Sequence, residues 1–135
     1  MYIVVDSNIF FSALLKEGIT RKLIIESNEK LIIPEYFFNE VKEHEKEIIS
    51  KTELNFNEYT ELSGLLLKHI NVIPNEVILP YREKAIEIVK NIDIDDALFV
   101  ATALAFKDTI IWSNDKKLKK QNKIKVVSTL EMMFI

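Results

Sequence analysis

The stretch that decides the fold is YIVVDSNIFFSALL, residues 2–15. Four strand-forming residues end abruptly at Asp6, and apolar side chains then recur at helical spacing. This pattern predicts a buried strand over 2–5 and a helix after it, with Ser7 or Asn8 as the helix N-cap. A strand that is apolar at every position is typical of a parallel sheet that helices cover on both faces.

The same alternation continues along the rest of the chain. Asn55 with Glu58 three residues later resembles a capping box and predicts a helix start. Pro34 is expected to open a long helix. The predicted strands are 31–33, 71–73, 109–112 and 125–127, and the predicted helices are 20–27, 34–51, 55–70, 81–90 and 95–106. The sequence therefore predicts an α/β fold with three layers and a mainly parallel central sheet.

Length and composition limit the class of protein. The 135 residues suit one domain over 1–135, and 48% hydrophobic with 29% charged residues is ordinary for a globular protein. The absence of cysteine excludes disulfides and thiolate zinc sites. Two isolated histidines, His44 and His69, are expected at the surface and argue against a histidine-rich metal site. Any metal ion here would have oxygen ligands.

Charge and hydropathy indicate where the protein works and what it contacts. No apolar run reaches the roughly 18 residues of a membrane span, and no signal-peptide pattern opens the chain, so we expect a cytoplasmic protein without a membrane partner. A net charge of −3 gives no general attraction to a phosphate backbone. A local lysine cluster follows Asp115 and is a candidate for phosphate contacts, although a solvated helix end would explain it equally well. Its members are Lys116, Lys117, Lys119, Lys120, Lys123 and Lys125.

Two acidic residues follow predicted strands. Asp6 comes directly after the strand over 2–5, and Asp115 follows the strand over 109–112 after two residues. In open parallel sheets, ligands bind beyond the carboxyl ends of the strands, so both side chains are expected at that edge. Each could instead cap the helix that follows its strand, because Asp is a preferred N-cap residue. Spacing alone leaves both interpretations open.

Further acids stand at helices. Asp93, Asp95 and Asp96 precede a segment apolar enough to be a buried helix. The helix dipole and free N–H groups explain one or two of them, but less well all three. Glu40 lies in the helix after Pro34 beside a mixed run of glutamates and lysines that is mostly solvated surface. Spacing alone makes Glu40 a weak candidate.

The aromatic residues that follow the first two predicted strands have two possible roles. They could stack bases, but helical spacing favours packing in the core or at an interface. Trp112 is expected to pack at a strand end. The other residues concerned are Phe10, Phe11, Tyr36, Phe37 and Phe38.

Four segments together resemble the PIN-domain family, and particularly the toxin ribonucleases of VapBC-type modules. They are VVDSNIFFSALL (4–15), IPEYFFNEV (33–41), DIDDALFVATALA (93–105) and IIWSNDKKL (110–118). The resemblance covers nearly the whole chain and implies a three-layer α/β/α PIN-like fold. It further implies a metal-dependent endoribonuclease that cleaves single-stranded RNA, plausible as the toxin of a toxin–antitoxin pair. Such family members usually dimerise and are silenced by a small DNA-binding partner.

The resemblance also assigns roles to individual residues. Ser113 matches a small hydroxyl residue near the last acid of the family, and Asn8 matches a polar residue that supports the site. Asp93 is a second candidate for the third acidic position, either instead of Asp96 or beside it, whereas Asp95 is expected to face outward or cap the helix. The lysines after Asp115 would then bind the phosphates of the RNA. The implied catalytic and metal-binding residues are Asp6, Glu40, Asp96 and Asp115.

The chemistry of such a site is independent of the family name. Four clustered carboxylates cannot all stay ionised without a compensating cation. Oxygen ligands suit Mg²⁺ or Mn²⁺, and one or two such ions would activate water for attack on phosphorus. Two other classes use a similar scaffold: a non-catalytic PIN module that binds RNA or protein, and a Mg²⁺-dependent phosphatase or signalling domain. The complete acid set favours the nuclease over the non-catalytic module.

Overall fold

The strands of the protein form a single sheet in a computed structural model that describes residues 1–135. They are β1 Tyr2–Val5, β2 Lys30–Pro34, β3 Ile70–Ile73, β4 Thr109–Trp112 and β5 Val126–Val127. All neighbouring pairs are parallel, and the order across the sheet is β3-β2-β1-β4-β5. The predicted parallel sheet is confirmed.

Eight helices connect and cover these strands. None of them is long and apolar enough to cross a membrane. Short 3₁₀ turns lie at Leu79–Tyr81, Ile94–Asp96 and Leu118–Lys120. The helices are α1 Ser7–Leu15, α2 Ile19–Glu26, α3 Phe37–Lys51, α4 Phe56–Leu67, α5 Asn75–Ile78, α6 Arg82–Val89, α7 Ala97–Leu104 and α8 Thr129–Met132.

The burial of β1 shows that helices cover both faces of the sheet. Ile3, Val4 and Val5 are all fully buried, and successive strand residues point to opposite faces. Helices α1 to α4 pack against one another, whereas α7 packs on β1, β2 and β4 with α6 beside it. The predicted three-layer α/β fold is confirmed.

The strand order places a crevice between β1 and β4. The chain leaves β1 towards β2 on one side, and it leaves β4 towards β5 on the other. Where the order reverses in this way, the loops at the carboxyl ends of the two strands diverge and open a ligand-binding crevice. Asp6 follows β1 and Ser113 follows β4, so both residues lie at this crevice.

The predicted bounds of the helices over 34–51 and 95–106 are wrong. Pro34 lies in β2, paired with Ile73, and α3 begins only at Phe37. The backbone N–H of Glu35 still donates to the carbonyl of Ile73, so strand pairing continues past the proline. Helix α7 begins at Ala97 and ends at Leu104, not at 95 and 106, because a 3₁₀ turn occupies Ile94–Asp96.

Helix capping explains other starts. The capping box of Asn55 and Glu58 is confirmed at α4. A second capping box, Ser128 with Glu131, starts α8, and the sequence analysis missed this helix because it has only one turn. The short α5 was missed for the same reason.

The predicted packing of the aromatic residues is confirmed for some of them only. Phe10 and Phe37 are buried and meet edge to face with ring centroids 4.8 Å apart. Tyr36 and Phe38, in contrast, are exposed. His44 and His69 lie at the surface as expected.

Trp112, the only tryptophan, provides a test of the core. Its ring is fully buried, and its Nε1 donates a hydrogen bond of 3.0 Å to Oγ1 of Thr129. Thr129→Val keeps the shape of the side chain but leaves the buried indole N–H without an acceptor. We expect this change to lower the free energy of unfolding by about 1–3 kcal/mol. Tryptophan fluorescence during urea unfolding measures the loss directly.

Thr60→Val is the matched control, because the hydroxyl of Thr60 is exposed and bonds only to the carbonyl of Phe56 within the same helix. It should change stability by less than about 0.5 kcal/mol. Equal losses in the two variants would contradict a specific role for the Trp112 hydrogen bond.

Candidate functional site

Asp6 lies at the crevice end of β1. It occupies the N-cap position of α1, but its side chain makes no capping hydrogen bond to that helix. Instead, its Oδ2 accepts a hydrogen bond of 2.6 Å from Oγ of Ser113, which follows β4. The residue is 7% exposed, and burial raises its pKa although the Ser113 hydroxyl and the backbone N–H groups of Asn8 and Ser7 oppose the shift. The hydrogen bond to Ser113 therefore ties Asp6 to the end of β4, a contact that helix capping does not require.

Asp96 occupies the corresponding position before α7, and it does not cap its helix either. Its Oδ2 is buried and has no hydrogen-bond partner in the chain. Burial, together with the charges of Asp6, Asp93, Asp115 and Asp95, raises the pKa of Asp96 to about 7. A buried carboxylate oxygen without a donor is costly unless a proton or a cation reaches it.

Asp93 and Asp115 complete a group of three carboxylates around Asp96. One oxygen of each residue lies within 4.8 Å of the others. Both residues also cap local turns, since Asp93 accepts from the N–H of Asp95 and Asp115 from the N–H of Lys117. A carboxylate has two oxygens with several acceptor positions, so a cap does not prevent it from binding an ion. Geometry thus brings Asp93 and Asp96 together and does not make them alternatives.

Glu40 reaches the site from the first turn of α3. Its Oε1 accepts a hydrogen bond of 2.9 Å from Oγ of Ser7, the residue after Asp6. Burial raises the pKa of Glu40, and the nearby charge of Asp6 raises it further. The sequence analysis treated Ser7 only as a possible helix cap and missed this contact. Its position next to Asp6, in a turn between strand and helix, was the available signal.

Two buried serines fix the acids in place. The Ser113 hydroxyl donates to Asp6 and accepts a hydrogen bond of 3.1 Å from the backbone N–H of Asp115. Ser7 holds Glu40 in a comparable way. Asn8 is exposed and lines a cavity beside Glu40, and Asp95 is exposed as expected.

No lysine or arginine pairs with these acids, because none of the ion pairs in the chain includes them. Three close carboxylate groups, one of which carries a buried oxygen without a hydrogen-bond partner, fit the oxygen-rich coordination of Mg²⁺ or Mn²⁺. The absence of cysteine from the chain argues against a softer thiolate-bound metal. The acids gathered at the crevice are Asp6, Glu40, Asp93, Asp96 and Asp115.

The lysine cluster divides into different environments. Lys116 and Lys117 are exposed directly after Asp115. Lys119 is paired with Glu131 and so has a structural partner. Lys120 and Lys123, with Lys84, line a groove of about 610 Å³ along α6. Lys125 is exposed just before β5.

Comparison with known proteins identifies the family. No curated protein matches the sequence. A chain in the crystal structure of VapBC2 from Rickettsia felis, bound to a DNA fragment from their promoter, aligns with a TM-score of 0.70 and 16% identity over 95% of this chain and 98% of that chain. A chain of VapBC-1 from nontypeable Haemophilus influenzae aligns with a TM-score of 0.67 and 18% identity over 96% and 99%. At these identities the likeness shows a shared fold. The family model described as PIN domain matches residues 4–133, and the chain therefore belongs to the PIN-domain family.

Proposed function

We propose that this PIN-domain protein is a metal-dependent endoribonuclease that cleaves single-stranded RNA. The observation that carries the proposal is the group of uncompensated carboxylates at the crevice between β1 and β4, with the unpartnered Oδ2 of Asp96 inside it. Ligands bind at this position in open parallel sheets. RNA phosphates would supply the remaining ligands of an ion that keeps only a few protein contacts.

The distances support an ion bound by Asp93, Asp96 and Asp115, which are the nearest set of acids. Ser113 joins Asp6 to Asp115, and Ser7 joins Glu40 to the residue after Asp6. Carboxylate ligands of this kind suit Mg²⁺ or Mn²⁺. When bound, such an ion lowers the pKa of water for attack on phosphorus and offsets charge on the leaving oxygen.

The protein's own groups prepare this chemistry. The Ser113 hydroxyl orients Asp6, and the Ser7 hydroxyl orients Glu40. Buried α7 holds Asp96 where water has little access. We assign RNA contacts to Lys116, Lys117, Lys119 and Lys120, with Lys119 the weakest candidate because Glu131 already neutralises it.

We further infer that the protein is the toxin of a toxin–antitoxin pair and works in the cytoplasm as a homodimer. The support for the toxin role is the shared fold with chains of two VapBC structures. A small DNA-binding antitoxin would be its partner. An apolar groove of about 330 Å³ between α3 and α4 is lined by Phe38, Val41, Tyr59 and Leu67, and it offers a surface that a helix of such a partner could cover.

The pKa of Asp96 predicts how pH and metal change stability. In the unfolded chain this pKa is 3.8, and in the folded protein it is about 7. The group therefore contributes stability that is fully present below about pH 4 and is lost as the pH rises through 7. In EDTA at pH 8, Asp96→Asn should raise the melting temperature by about 4 °C or more. Mg²⁺ should raise it in the parent and less in the variant.

Asp95→Asn is the control, since Asp95 is exposed and lies one residue away. It should change the melting temperature and its pH dependence much less than Asp96→Asn does, because the charge of Asp95 contributes least to the raised pKa of Asp96. A lower melting temperature for Asp96→Asn at pH 8 in EDTA would show that its carboxylate stabilises the metal-free fold, contrary to this account.

The nuclease proposal predicts that folding and cleavage separate. Asp6→Asn and Asp96→Asn keep side-chain size and remove one charge each from the site. Cleavage of a mixed pool of single-stranded RNA in Mn²⁺ should fall by about 100-fold or more, because the reacting groups lose their alignment. Circular dichroism and thermal melting should show a folded protein.

The same assay distinguishes the alternative functions. Asp95→Asn should cut like the parent. If Asp6→Asn and Asp96→Asn also cut like the parent, the acids are structural and the nuclease assignment is wrong. Binding of RNA by the parent without cleavage would indicate a non-catalytic module, and hydrolysis of small phosphate esters with RNA left intact would indicate a phosphatase.

A further inference from the structure

A cavity adjoins the acidic site on the side of α1 and α3. Its volume of about 320 Å³ is at the lower end of the range for small-ligand pockets. Both helices contribute polar and aromatic side chains to its wall. The residues that matter here are Asn8, Phe11, Glu40, His44, Glu47 and Lys51.

This cavity is continuous with the acidic site. Glu40 lines it and is also held by Ser7, the neighbour of Asp6. Asn8 lines it from α1, two residues after Asp6. The cavity therefore adjoins the acids through Glu40 and through the turn that carries Asp6 and Asn8.

The charges of the cavity disfavour a phosphate in it. Glu40 and Glu47 both face it, and Nζ of Lys51 is already engaged in a 2.8 Å hydrogen bond with Glu47. A metal ion is disfavoured too, because the acids that bring three ligand atoms within 4.8 Å lie in the neighbouring group around Asp96. A ligand without phosphate but with polar edges suits this wall better than an anion or a metal ion.

The rings of Phe11 and His44 stand at a steep angle to each other in the cavity wall. Their centroids lie 6.5 Å apart, and the angle between their planes is 67°. The ring of Phe37 also packs against Phe11, with the two centroids 6.4 Å apart. Flat heterocycles stack on such rings, and stacking tolerates any base because every base has a π-face.

Hydrogen-bonding groups stand beside the rings. Nδ1 of His44 lies 3.7 Å from Oε2 of Glu47, which leaves Nε2 as the ring nitrogen for a ligand. The amide of Asn8 offers both a donor and an acceptor. Proteins recognise unpaired bases by combining aromatic stacking with hydrogen bonds to the base edges.

We propose that this cavity is a nucleobase subsite that receives one unpaired base of the RNA next to the phosphate at the acids. Phe11 and His44 stack the base, and Asn8 with His44 bonds its edge. The inference rests on the proposed ribonuclease function. It makes cleavage depend on the identity of one base at a fixed distance from the cut.

Binding is tested first with the four uncharged ribonucleosides in EDTA, so that neither phosphate nor metal contributes. Backbone NMR shifts should change at α1 and α3 around Asn8 and His44, and one nucleoside should bind more tightly than the others. His44→Ala and Phe11→Leu should weaken this binding by about tenfold, the loss expected for a stacked base. His69→Ala and Phe56→Leu are matched controls, since both residues are exposed outside the cavity.

Specificity is tested by sequencing the cleavage products of a random single-stranded RNA pool in Mn²⁺. The parent should prefer one base at one fixed position, and His44→Ala should reduce that preference about tenfold while still cutting. The subsite would be overturned if the nucleosides shifted only NMR signals of residues outside the cavity. It would also be overturned if His44→Ala kept the same base preference as His69→Ala. Nucleoside binding at His44 in a parent that cuts no RNA would support the subsite and overturn the nuclease assignment.

Discussion

Mutual repulsion of carboxylates at the crevice between β1 and β4 is the constraint on which the site depends. Asp6, Glu40, Asp93, Asp96 and Asp115 meet there, and no lysine or arginine pairs with any of them. Burial, reinforced by repulsion, raises the pKa of Asp96 to about 7, so the fold carries an electrostatic cost that a bound cation would reduce. The rest of the structure keeps these groups together in spite of that cost.

Core packing and two hydroxyl groups hold the acids in place against this repulsion. Packing of α7 against β1, β2 and β4 fixes the backbone of Asp96. Ser113 joins the ends of β1 and β4 by bonding to Asp6 and to the backbone of Asp115, and Ser7 ties α3 to α1 through Glu40. Rigid elements thus preorganise the acids, as a catalytic or binding site requires.

Much of this arrangement could be predicted from local sequence, because it depends on strand ends. Asp6 and Asp115 follow apolar strands, and parallel strands bring their carboxyl ends to one edge. Glu40 could not be placed in this way, since its partner Ser7 is 33 positions distant and only tertiary packing joins them. The roles of Pro34 and Asp93 likewise depend on long-range contacts, with Ile73 for the proline and with Asp115 for the acid.

A cation site at these acids can be tested with a crystal of the protein soaked in Mn²⁺, because anomalous scattering locates the ion without reference to activity. We expect an anomalous peak in contact with the carboxylate of Asp96 and with the carboxylate of Asp93, Asp115 or both. Oδ2 of Asp96 should be among the ligands. A soaked crystal with no peak at these acids, or with manganese bound only at surface carboxylates elsewhere, would contradict it.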